Sequence, residues 1–260
     1  MRRIAFTVAY DGTRYQGFQI QRAQATIQGE LEAALLRLTG QASRVAGAGR
    51  TDTGVHAVGQ VAAWAVPDRW TLADLQRALN AVLPSDIAVL EMAEAPAGFH
   101  PRYSAHSRTY RYRVWNAPVR SPAERLYSLQ VPRPLDVAAM NAACEPLVGA
   151  HDFATFGSPV GRSPSTIRYI YRAEWSQQGP LVCFDIEANA FLRRMVRGLV
   201  GTLLLVGLGR LTPADIAELL AVRTRSESAP SAPAHGLWLM KVTYPPAAWE
   251  EFPGLGGTGI

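Results

Sequence analysis

The sequence predicts an α+β protein of two similar halves, each an antiparallel or mixed sheet with helices on one side. Three observations lead there. From Arg3 to Met92 the apolar pattern runs strand, helix, strand, strand, helix, strand. The same order returns between Arg108 and Tyr244, although the halves share no evident sequence identity. That order is the split βαβ unit of ferredoxin-like folds. The length, 260 residues with 48% apolar side chains, suffices for two cores. The expected organisation is an N-terminal half over 1–104, a C-terminal half over 105–246 and a tail over 247–260.

Each element has a local reason. Arg3 to Tyr10 is rich in strand formers and stops at the turn pair Asp11-Gly12. Apolar residues at 27, 31, 34, 35 and 38 have helical spacing, and Gly40 ends that helix. Arg44 to Ala48 and Gln60 to Val66 read as strands flanking a glycine-rich loop. Thr71-Leu72-Ala73-Asp74 is a capping box that opens a helix to Val82, followed by Pro84 and a strand from Ile87 to Met92. Phe99 to Ser107 connects the halves. In the second half, strands are expected at Arg108–Trp115, Tyr127–Val131, Thr166–Trp175, Leu181–Ala188 and Leu237–Tyr244. Helices are expected at Asp136–Leu147 and Phe191–Leu208, with another capped by Thr212-Pro213-Ala214-Asp215. Ser226 to Gly236 reads as a mobile Ser/Ala/Pro loop.

Composition narrows the function. The net charge is +5, a mild lean toward a polyanion. Of the 26 basic residues only Lys241 is lysine, and seven arginines fall between Arg102 and Arg133. A compositional bias accounts for most of that excess. The clustering also suits phosphate and base recognition, because a guanidinium fork both pairs with phosphate and stacks. Cys144 and Cys183 stand 39 residues apart without a CxxC, as expected of buried thiols in a reducing compartment. The N-terminus reads as a strand, not a signal peptide, and Leu199 to Gly209 is too short to cross a bilayer. A cytoplasmic protein without membrane association is expected. The five histidines lack metal-ligand spacing, and neither a Walker A nor a complete GxGxxG is present, so no metal or cofactor is expected.

The chemistry centres on GAGRTDTGVHAVGQV, Gly47 to Val61, with Asp52 between glycines and two residues after Arg50. Three readings compete. An aspartate beside glycine commonly serves the turn itself. Asp52-Thr53-Gly54 also spells the aspartic-protease triplet, but that chemistry needs two carboxylates sharing a proton and hence a raised pKa. An arginine at contact distance pushes an aspartate the other way, down by about 1–3 from about 3.9. The third reading is a fixed, ionised carboxylate that acts as nucleophile or base.

Two further stretches matter. RTYRYRVW, as a strand, puts Arg108, Tyr110, Tyr112 and Val114 on one face and Thr109, Arg111, Arg113 and Trp115 on the other. This fits core aromatics opposite solvated arginines, and equally an aromatic platform with phosphate grips. In NAFLRRMVRGLVG, helical spacing sets Arg193 and Arg194 within a turn of Arg197. A solvated face is the common outcome for such a cluster. The alternative is that one arginine enters a cleft and pairs with a carboxylate, with Asp52 as a candidate.

Together these motifs resemble those of the tRNA pseudouridine synthase A family. Tyr10-Asp11-Gly12 with Gly17-Phe18-Gln19 is similar to its opening motif, and Ala48 to His56 to its catalytic loop, with Thr53 where alanine is usual. Phe99-His100, Tyr103-Ser104-Ala105 and Arg108 to Asn116 resemble its central segment. Asn189-Ala190-Phe191 with Met195-Val196-Arg197 resembles a third motif, and Gly236 to Leu239 its last strand. Phe18 replaces the usual Trp and Ile20 an Arg. The resemblance runs from about Ile4 to Tyr244. It implies the pseudouridine synthase fold, with a cleft between the halves, and isomerisation of uridine at positions 38, 39 and 40 of the tRNA anticodon stem-loop by a homodimer. Asp52 is then the catalytic nucleophile or base, Arg197 its partner, and Tyr110 the ring that stacks on uracil, with a role at C5. Arg50, His56, Arg14, Arg108 and Arg111 are implied to bind substrate. A double RRM-like RNA-binding protein without chemistry is the alternative, weakened because TYRYRVW lacks the glycines of that motif.

Overall fold

The computed structural model describes residues 2–159, 165–222 and 230–245. The expected tail and the Ser226–Ala229 part of the Ser/Ala/Pro loop lie outside them. The chain forms two compact units. One takes the residues up to Ser107 together with those from Leu239, and the other runs from Arg108 to Trp238.

In the first unit, strand β1 (Arg2–Tyr10) is followed by helix α1 (Ile27–Thr39), the two-residue strand β2 (Ala46–Gly47) and strand β3 (His56–Val66). Helix α2 (Leu72–Val82) and strand β4 (Ile87–Glu94) complete the series. β1 pairs antiparallel with both β3 and β4, and β2 pairs antiparallel with β3. This is the order and sense of a split βαβ unit. Ile4, Phe6 and Val8 of β1 and Val61 and Trp64 of β3 are buried, so the two central strands carry the core. Both helices start as their sequences dictate. The Thr26 side chain accepts from Gly29 N–H, and Thr71 accepts from Asp74 N–H while its hydroxyl donates to the Asp74 carboxylate. Gly40, at φ 73°, closes α1 in the left-handed conformation.

The second unit begins with strand β5 (Ser107–Asn116), the short β6 (Leu129–Val131), helix α3 (Val137–Ala142) and strand β7 (Gly149–Asp152). Strands β8 (Ile167–Gln178) and β9 (Leu181–Ala188) form a hairpin, followed by helices α4 (Met195–Gly207) and α5 (Pro213–Val222). β9 pairs antiparallel with β5 and β8, β8 pairs antiparallel with β7, and β6 runs parallel to β5. Tyr112 and Val114 of β5 and Phe184 and Ile186 of β9 are fully buried, as are Leu199, Val200 and Leu203 of the strongly apolar α4.

Strand β10 (Leu237–Thr243) departs from expectation. The sequence places it in the second half, yet its residues from Leu239 belong to the first compact unit. Gly59 of β3 lies so close to Met240 that a Cβ on it would sit 2.1 Å from that carbonyl oxygen. His106 N–H donates to Thr243 O, and the buried Tyr244 hydroxyl donates to Pro101 O.

Candidate active site

The predicted site residues divide between the units. Asp52, Arg50, His56 and Arg14 lie in the first, and Tyr110, Arg108, Arg111 and Arg197 in the second.

The Asp52 loop joins β2 to β3 and is clamped at several points. At its entry, Ala48 N–H donates to Val61 O, and the fully buried Gln60 amide donates to Gly49 O at 2.9 Å. Immediately before Asp52, the Thr51 and Tyr10 hydroxyls share a buried hydrogen bond of 2.9 Å. After it, Val55 N–H donates to Asp52 O, a tight turn that Gly54 permits at φ 76°. These bonds run through backbone atoms and neighbouring side chains. Asp52 itself is half-buried.

A second segment lies against the loop from outside. Phe18 N–H donates to Thr51 O, and Gly54 N–H donates to Tyr15 O. Gly17, at φ 85°, is so near that a Cβ would stand 2.4 Å from Thr51 O and 3.2 Å from the Asp52 carbonyl carbon. Gly12 approaches the other end, where a Cβ would stand 2.0 Å from Val55 O. The same segment is tied to α1 by Ile27 and Gln28 N–H groups donating to Gly17 O and Phe18 O. Thus 12–18 fix the peptides on both sides of Asp52. Sequence reasoning missed these two glycines as functional; their place in the opening motif was the available signal.

The other first-unit residues have definite partners. The exposed Arg50 donates from Nε to Gln19 Oε1 at 3.2 Å, so its position beside Asp52 in sequence does not decide where its charge is held. Arg14 donates to Asp86 through Nε and Nη2 at 2.9 and 2.5 Å, and Tyr15 donates to the other Asp86 oxygen at 2.7 Å. The Asp86 hydrogen bond and charge hold Arg14 protonated above its ordinary value. Arg14 nonetheless keeps an exposed side chain, 70% accessible. His56 requires a correction. Expected to touch substrate, its ring is fully buried, with Nδ1 3.1 Å from both Gly12 N and Asp11 Oδ1. A ring with no accessible surface offers nothing to a ligand. It pins Gly12 beneath the loop instead.

In the second unit, Tyr110 is buried on β5 opposite Ile186 and meets Phe191 edge to face, with ring centroids 5.1 Å apart. Such a contact fixes the ring plane. Arg108 donates to Asn189 O at 2.8 Å, joining β5 to the segment that carries Phe191. The predicted face alternation holds: Tyr110, Tyr112 and Val114 are buried, and Thr109, Arg111, Arg113 and Trp115 are partly exposed. The arginines on the open face are engaged by carboxylates. Arg111 forks across to Asp185 on β9 at 2.8 and 3.0 Å, and that hydrogen bond raises its pKa. Arg113 donates to both oxygens of Glu124 at 2.9 Å. Phosphate grips at these two positions would compete with carboxylates already in place.

Helix α4 begins four residues later than the spacing predicts. Arg193 pairs in a β-bridge with Ser158, and Arg194 takes the left-handed conformation at φ 63°. Both are exposed and neither is helical. Arg197 is on the helix and partly buried. Its Nε donates to Ala232 O at 2.6 Å, while Ala232 N–H donates back to Arg197 O. Of the three arginines, Arg197 alone is built into the fold at both backbone and side chain.

The chain matches the family model described as tRNA pseudouridine synthase over residues 6–104 and 143–245. It is 48% identical over 254 residues to tRNA pseudouridine synthase A of Roseiflexus castenholzii, covering 94% of this chain and 92% of that protein. The protein of the same name from Geobacillus kaustophilus is 45% identical over 243 residues, covering 93% and 94%. That of Moorella thermoacetica is 45% identical over 246 residues, covering 93% and 99%. The segments matched by the family model include the Asp52 loop and Arg197, and with relatives of this identity and coverage the chain belongs to the tRNA pseudouridine synthase A family.

Proposed function

We propose that this chain isomerises uridine to pseudouridine at positions 38, 39 and 40 of the tRNA anticodon stem-loop, with Asp52 as the reacting carboxylate. The observation that carries the reading is a half-buried aspartate in a loop clamped by buried hydrogen bonds and by the close approach of Gly12 and Gly17. The family match supports the reaction.

The net change breaks the C1′–N1 bond, forms a C1′–C5 bond, removes the proton from C5 and returns one to N1. No electrons leave the substrate, so the reaction calls for no redox cofactor. The target nucleotide leaves the stack first, at a cost of roughly a few kcal/mol. Asp52 acts as nucleophile at C1′ or as base on the ribose. Arg197 is its partner, and Tyr110 stacks on the extruded uracil and serves at C5. The edge contact with Phe191 supports the stacking role by holding the Tyr110 ring in one plane. Arg50 and Arg14, both exposed, contact RNA from the loop side. Arg108 and Arg111 contact it from β5, against the competition described above. The enzyme works as a cytoplasmic homodimer that binds one tRNA across both subunits.

The test is to incubate the protein with an unmodified tRNA transcript carrying uridines at the three positions and to map pseudouridine. Modification at those positions is expected. RNA that is bound but left unmodified would sink the reading in favour of an RRM-like binding protein.

A further inference from the structure

The segment between β4 and β5 holds the most exposed tyrosine among the described residues. Tyr103 is 77% accessible, against 45% for Tyr169 and 38% for Tyr171. Single exposed aromatics are ordinary. The frame around this one is not that of a loose loop. Phe99 is buried and meets Tyr244 at 5.2 Å, and the Tyr244 hydroxyl donates to Pro101 O. His100 and Ser104 close the loop on itself: His100 N–H donates to Ser104 Oγ and Ser104 N–H to His100 O. His100 Nδ1 accepts from Arg102 N–H at 3.1 Å, which makes the ring a neutral acceptor. Burial, with the Arg3 and Arg102 charges, lowers the His100 pKa and favours that state.

The Tyr103 ring is held in turn. The His100 ring lies 4.5 Å from it and tilted by 38°, and the Arg102 guanidinium is 5.7 Å from its centroid. A fixed, outward aromatic ring with arginine beside it matches what single-stranded RNA binds, a π surface for the base and a cation for the phosphate.

We infer that Tyr103 is a stacking platform for an unpaired base of the RNA substrate, set in place by His100 and Arg102. This rests on the tRNA reading above. Exposed Arg3 adds a second positive charge to the patch and favours RNA over a neutral protein partner.

The test compares wild type with Tyr103→Ala, Tyr103→Leu and Tyr103→Phe. kcat and KM are measured for a tRNA transcript, with direct RNA binding measured in an Asp52→Asn background. Loss of a stacked base raises KM and Kd roughly tenfold for Ala and Leu and leaves Phe within about twofold, with kcat at saturating RNA retained. KM and Kd unchanged in Ala and Leu would overturn the inference. So would an equal loss in Phe, which would assign the effect to the hydroxyl. A shift in sedimentation without a change in RNA affinity would also overturn it, by assigning the ring to contact with a second copy of the chain. Should wild type make no pseudouridine, the functional reading fails on its own, and the binding measurements still decide Tyr103.

Discussion

Gly17→Ala tests whether the segment 12–18 positions Asp52. Two penalties can be worked out. The residue sits at φ 85°, where an L side chain costs about 1–2 kcal/mol. In addition, the new Cβ would stand 2.4 Å from Thr51 O, whereas ordinary contact begins at 3.4 Å. The carbonyl immediately before Asp52 must therefore retreat by about 1 Å, and a displacement of that size in a reacting group costs on the order of 100-fold in rate. The backbone term alone lowers Tm by about 2–8 °C in a protein of this size. Gly40→Ala is the control, because Gly40 has φ 73° and nothing within 4 Å of a Cβ. It carries a similar backbone cost without the collision. Thermal unfolding and tritium release from C5-labelled uridine in tRNA are measured for both. The expected result is a loss of Tm in both variants, larger in Gly17→Ala because of the added collision, with kcat falling only in Gly17→Ala. Full turnover by Gly17→Ala, or an equal loss in Gly40→Ala, would refute the reasoning.

Two other outcomes follow from the structure. Cys144 and Cys183 are buried; burial pushes the Cys144 pKa up to about 12 and raises that of Cys183. At pH 8 both are protonated thiols, so a thiol reagent titrates none in the native protein and two in denaturant; rapid native labelling would contradict this. Asp185→Asn and Arg111→Gln each break a bidentate cross-strand pair whose arginine is 36% accessible, and each costs about 1 kcal/mol of unfolding free energy after allowing for that exposure. In a double-mutant cycle the two losses overlap; strictly additive losses would show that the pair is not a unit.

Much of this fold was legible because its signals are local. Thr26 and Thr71 cap helices in sequence and in space, Gly40 terminates α1, and the alternation of RTYRYRVW became the buried and open faces of β5. What was not legible depends on partners distant along the chain. Helical spacing continued back to Phe191, but Ser158 draws Arg193 into a bridge and Arg194 turns left-handed, so α4 starts at Met195. β7 was missed because four residues, Gly149–Asp152, carry no readable period and pair only through β8. The site shows the same division. Asp52 and its glycines announce a constrained loop. That Gly12 and Gly17 supply the constraint, that Arg50 reaches Gln19, and that Arg111 is engaged by Asp185 are facts of packing between segments. His56, adjacent to the catalytic motif, went inward because β3 begins there and its first side chain enters the core.

The proposed reading has the carboxylate at position 52 perform the chemistry while other residues bind RNA. Tritium release from C5-labelled uridine in tRNA, comparing wild type with Asp52→Asn, tests it most directly. The substitution keeps the shape of the side chain and removes its charge, so the variant is expected to bind tRNA with wild-type affinity and release no tritium. Sustained release by Asp52→Asn would contradict the account.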